Sequence, residues 1–156
     1  MKFIPSKTIW FASVLTGLSL SVASQTETRL ATQAIHCAAV FTVLAQTHAS
    51  DSALAPRLNK AANIFTDVYV KELNAGLKPE EAAKRRELAL ADIKAGWTTR
   101  APQFTESSVI CGAWAEGFLE QGEVYKHVPV YPKVVAMHIR SQYQALAEDA
   151  LKRWQP

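Results

Sequence analysis

The sequence predicts an all-α chain: an antiparallel bundle of four to five helices that follows a cleaved N-terminal signal peptide and is stapled by one disulfide. Three observations lead there. Apolar residues recur at alternating spacings of three and four through most of the chain after residue 27, the period of a helix buried along one side. Helix-opening prolines and helix-closing glycines punctuate these stretches, as at Pro56, Gly76, Pro79 and Gly122. The two cysteines, Cys37 and Cys111, both fall on the apolar side of such a stretch.

The N-terminus has the three parts of a Sec-type signal in order. Lys2 and Lys7 form a basic start, Ile9 to Leu20 is an apolar run, and Ser21-Val22-Ala23 offers small residues to a signal peptidase, with a cut after Ala23 or Ser24. The run is shorter than the ~20 apolar residues of a spanning helix. No cysteine lies near the cut, so a lipid anchor is not expected. This reading divides the chain into a signal peptide, 1–23, and a single helical domain, 24–156. The expected product is soluble and periplasmic or secreted, with no stable membrane insertion after cleavage.

Cleavage also changes the charge. The whole chain carries 17 basic and 14 acidic residues; without Lys2 and Lys7 the balance falls to +1. A nucleic-acid or anionic-lipid partner, which the basic whole chain would suggest, thereby loses its support, and no nucleic-acid partner is expected. The one dense basic cluster, Lys84-Arg85-Arg86, is flanked by Glu80, Glu81 and Glu87 as helix-surface partners. Roughly 130 residues remain, enough for one core.

The first helix is expected over Glu27–His48, amphipathic, with Leu30, Ala34, Cys37, Phe41 and Leu44 on its buried face. Ser50-Asp51-Ser52 ends it. A second opens between Ala53 and Pro56 and buries Leu58, Ala62, Phe65, Tyr69 and Leu73, with Gly76 as a left-handed cap. Pro79-Glu80-Glu81 starts a third, proline in the first turn and carboxylates at the positive end of the dipole, with Ala83, Leu90, Ile93 and Trp97 inward. Arg100-Ala101-Pro102 reads as a break. The fourth helix is then expected from near Thr105 to Glu120, with Ile110, Cys111, Trp114 and Phe118 inward. Val109-Ile110 favours a strand locally, and Gly112 and Gly117 weaken a helix unless they admit a close neighbour. Residues 123–132, with Pro129 and Pro132, read as a structured loop. The last helix, about Pro132 to Trp154, carries Val135, Ile139, Tyr143, Leu146 and Ala150.

In an exported chain two lone cysteines predict one bridge, Cys37–Cys111. Redox catalysis usually relies on a Cys-x-x-Cys pair, which is missing. The histidines His36, His48, His127 and His138 form no His-x-x-x-His or Glu-x-x-His pattern, and Cys-x-x-Cys-His is missing too, so neither metal nor cofactor is expected. His36 reads as a helix-flank histidine beside Cys37. Ser107-Ser108 has no nucleophile motif around it and is expected to cap a helix start.

Two constellations stand out as candidate sites. Glu116, Glu120 and Glu123 share one helical face, either as paired carboxylates or as a solvated acidic face. Tyr125, His127 and Tyr131 place aromatics with polar tips in a proline-stiffened loop, suited either to recognition or to covering the end of the bundle.

The paired-cysteine helical layout is broadly similar to that of small exported helical proteins, including acid-stress chaperones of the bacterial periplasm; no motif transfers residue roles. The functional expectation is a non-enzymatic exported protein that binds another envelope or secreted protein, as an inhibitor, immunity factor, chaperone or assembly partner. The alternatives are a small envelope hydrolase, or a small-ligand carrier, with a site formed by scattered residues.

Overall fold

A computed structural model describes residues 29–72, 77–121 and 135–154, with side chains as far as Gly117 in the second segment. The described residues form five α-helices and no strand: α1 (Arg29–Thr47), α2 (Leu54–Glu72), α3 (Pro79–Ala95), α4 (Ala101–Gln121) and α5 (Met137–Arg153). The expected signal peptide, the Gly76 cap and the loop at 123–132 lie outside the described residues.

The main correction concerns α1. Eleven of its residues are buried, and they fall all round the helix. All four other helices pack on it, so it is the axle of the bundle, covered on more than the one face the sequence suggests. Alanine makes this possible: Ala31, Ala34, Ala38, Ala39 and Ala45 let neighbours approach on several sides at once. By length and composition α1 is apolar enough to cross a membrane; its position at the centre of the core accounts for that composition.

The connections follow local chemistry. Asp51 accepts hydrogen bonds from the N–H groups of Ala53 (3.0 Å) and Leu54 (2.9 Å), which caps α2 and holds its own carboxyl below the ordinary carboxylate range. In α2, Leu58, Ala62, Phe65 and Tyr69 are buried as expected. Pro79 opens α3, where Ala82 and Ile93 are the buried residues, Ala83 and Leu90 are half-buried, and Trp97 is buried in the turn that follows.

α4 begins four residues earlier than the sequence suggests. Pro102 sits in its first turn, where a missing N–H has no intrahelical partner to lose. Thr105 and Ser108 lie inside the helix, bonded to the carbonyls of Ala101 (3.1 Å) and Phe104 (2.8 Å), so neither serine of the 107–108 pair caps a start. The local strand preference of Val109-Ile110 is overridden by packing. α5 starts at Met137 rather than near Pro132, and buries Tyr143, Ala147 and Ala150, with Val135, Ile139 and Leu146 half-buried.

Cys37 and Cys111 form the predicted disulfide, both fully buried, with 5.3 Å between Cα atoms. It joins α1 to α4 and fits an oxidising compartment. Around it Phe41 stacks on Phe65 (5.7 Å) and meets Tyr143 edge-on (5.9 Å), and Phe65 packs on Trp114 (5.1 Å). A second aromatic group closes the far end. Trp97 lies against Phe104 (4.7 Å) and Trp154 (4.5 Å) and donates from Nε1 to the Trp154 carbonyl (3.1 Å).

Gly112 answers the question raised by the weakened fourth helix. A side chain there would meet Cγ and Cδ2 of Tyr143 well inside contact distance, with Cε2 at 2.6 Å. The glycine lets α5 lay its tyrosine ring flat on the α4 backbone.

Candidate functional site

Tyr143 carries its hydroxyl to Glu116, donating to Oε1 at 2.7 Å, and Arg57 of α2 grips both oxygens of the same carboxylate at 2.6 and 2.7 Å. Burial, with the Glu116 hydrogen bond second, pushes the tyrosine hydroxyl well above its ordinary pKa. Glu116 therefore clamps α2, α4 and α5 together, and its side chain is only 14% exposed. Of the acidic triplet, it faces a tyrosine and an arginine rather than water. The side chain of Glu120, and all of Glu123, lie outside the described residues, as do Tyr125, His127 and Tyr131.

The structure brings together a different group of polar residues. His36 on α1 turns its Nε2 to within 3.1 Å of Ser107 Oγ on α4, across 71 residues of sequence. The pair borders a cleft beneath the α3–α4 turn, lined also by Asp92, Trp97, Arg100 and Gln103. Its volume is about 60 Å³. Organic-ligand pockets run to roughly 300–1,000 Å³, so this one admits only a very small group.

Charge is arranged in layers around it. Arg100 folds back over Gly96 and holds Asp92 by two hydrogen bonds of 3.0 Å, while its Nη2 also donates to the Asp92 carbonyl at 2.6 Å. This grip keeps the Asp92 carboxyl below the ordinary range. Burial lowers the pKa of His36; the Asp92 charge opposes that and Arg100 adds to it. At neutral pH His36 is an uncharged imidazole beside a hydroxyl. That is the protonation state a general base requires.

A second cavity of about 280 Å³ opens where α1, α3 and α5 end, lined by Val43, Gln46, Thr47, Lys94, Arg153 and Trp154. Lys94 stands over the Trp154 ring (4.8 Å) and Arg153 pairs with Asp149 (2.7 Å). Both cations also oppose the negative ends of their helices, so their charge is largely balanced within the fold. Among the described residues no group of three or more His, Cys, Asp or Glu side chains is placed to hold a metal.

The His36–Ser107 pair escaped motif reasoning because no local pattern marks it. A usable signal was nevertheless present. His36 precedes Cys37 by one residue and Ser107 precedes Cys111 by one helical turn, so once the disulfide is drawn the two side chains fall on neighbouring turns. Comparison with protein-family models, curated proteins and solved structures finds no match to this chain.

Proposed function

We propose that this is an exported protein, released by cleavage after Ala23 or Ser24, that works by binding another protein of the envelope or the exterior. The observation that carries the reading is the outer face of α3. Leu88, Ala91 and Ala95 follow a three-and-four spacing and are all exposed, Leu88 at 56%. A helix that keeps an apolar stripe outward, beside one that faces the core, is suited to lie in an apolar groove of a partner. Lys84, Arg85, Glu87 and Asp92 beside the stripe supply charges of both signs for register. The disulfide supports the reading by fixing the frame on which α3 is presented, which lowers the ordering entropy of binding.

The test is capture from envelope extract with the oxidised chain as bait, run beside a Leu88→Asp variant. The wild type retains a stoichiometric partner, and the variant, whose substitution lies on an exposed helix face, loses it while keeping its melting temperature. Equal capture by both proteins, or none by either across pH and salt, overturns the reading.

A further inference from the structure

We propose that the His36–Ser107 cleft is also an acyl-transfer site, in which Ser107 accepts a small acyl group from an activated ester. The pair stands at 3.1 Å, within the reach of a nucleophile and its base. With its proton on Nδ1, His36 presents a bare Nε2 that accepts the Ser107 hydroxyl proton. Burial and the Arg100 charge disfavour the imidazolium that the step creates, and the Asp92 charge offsets part of that cost.

The developing oxyanion needs a donor, and the α4 backbone at Ser107 itself cannot supply one, because past the first turn the N–H groups are bonded within the helix. Gln103 can. It sits one turn before Ser107 on the same face and lines the cleft, and its side-chain amide makes no hydrogen bond among the described residues. Ile93, Trp97 and Phe104 form the apolar wall on which an acyl group would rest. The volume of about 60 Å³ limits that group to the size of acetyl or propionyl.

The chemistry balances with water as the only other reactant. Ser107 Oγ attacks the carbonyl carbon while its proton moves to His36 Nε2. The bond from that carbon to the ester oxygen breaks, and the leaving oxygen takes the proton from Nε2. Water then attacks the acyl carbon, giving a proton to Nε2, and the carboxylic acid departs as Ser107 Oγ recovers that proton. None of these residues belongs to the α3 stripe, so this proposal and the binding reading stand or fall separately.

The test is incubation of the oxidised full chain with para-nitrophenyl acetate at pH values from about 5 to 9, followed by intact-mass and peptide analysis. The expected adduct is a single acetyl group on Ser107. Its rate of formation rises with loss of the His36 proton, at or below the ordinary histidine range, and then levels. His36→Gln slows it by about 100-fold or more. Gln103→Leu slows it by at least about tenfold, and because Gln103 is exposed that comparison does not depend on a rebuilt core. Acetylation confined to lysines with a rate that climbs into alkaline solution, equal labelling of Ser107→Ala, or no adduct at all would each overturn the proposal.

Discussion

Replacing Gly112 by alanine adds one methyl group, and its effect reverses the sign that helix propensity alone predicts. In an isolated helix the change is favourable by about 1 kcal/mol. Here the new Cβ would fall on the ring of Tyr143, with even the more distant Cε2 only 2.6 Å away. Carbon atoms in contact prefer about 3.5–4.0 Å, so ring and backbone must separate by about 1 Å. Overpacking of this kind costs about 1–3 kcal/mol. The ring also carries the hydroxyl that donates to Glu116, and weakening that charge-assisted bond adds about 1 kcal/mol. The net expectation is a loss of about 2 kcal/mol, or a melting temperature lower by about 6–10 °C for a chain of this size. Thermal unfolding followed by far-UV circular dichroism reads it. An unchanged or raised melting temperature would refute the close approach of α5 to α4. Gly96→Ala is the contrast: there the new methyl meets the flexible end of Arg100, whose pairing with Asp92 is exposed, and the loss stays under about 1 kcal/mol.

Breaking the disulfide by Cys37→Ala with Cys111→Ala frees a link between residues 74 apart in sequence, and chain-entropy arguments give a loss of up to about 4 kcal/mol. In urea this lowers the midpoint by about 2–3 M, and a midpoint that does not move would remove the bridge from the account. Glu116→Ala leaves the buried Tyr143 hydroxyl without its acceptor, while the exposed Arg57 returns to water, and lowers stability by about 1–3 kcal/mol; Glu116→Gln, which keeps an acceptor for Tyr143, loses less, as chemical denaturation will show. The lowered pKa of His36 sets a pH dependence. The unfolded chain takes up this proton first, so the stability contributed by neutral His36 is complete above its unfolded value near 6.5 and is lost as pH falls from there toward the folded value. His36→Gln flattens the melting-temperature profile in that window, and an unaltered profile contradicts the assignment.

How much of this was legible in advance depends on the range of each signal. Helical periodicity is local, and it placed α2 and the buried residues Phe65 and Tyr69 correctly. The disulfide was legible because two cysteines allow one pairing. The central position of α1 was not, since an alanine-rich helix has no strong polar side to betray whether one face or every face is covered. Pro102 hid the start of α4 because proline marks a helix opening as readily as a break. Glu116 looked like part of a charged surface because its partners, Arg57 and Tyr143, come from two other helices. The His36–Ser107 cleft failed for the same reason: its chemistry exists only once α1, α4 and the α3–α4 turn have met.

Export and the oxidised staple together are the premise of the proposed binding function, and one intact-mass measurement on protein recovered from its own host's envelope tests them together. The expected chain begins at Ser24 or Gln25 and is two hydrogen atoms lighter than its reduced form, with no thiol open to alkylation at Cys37 or Cys111. A chain that still begins at Met1, or one that takes up two alkyl groups without prior reduction, would contradict it.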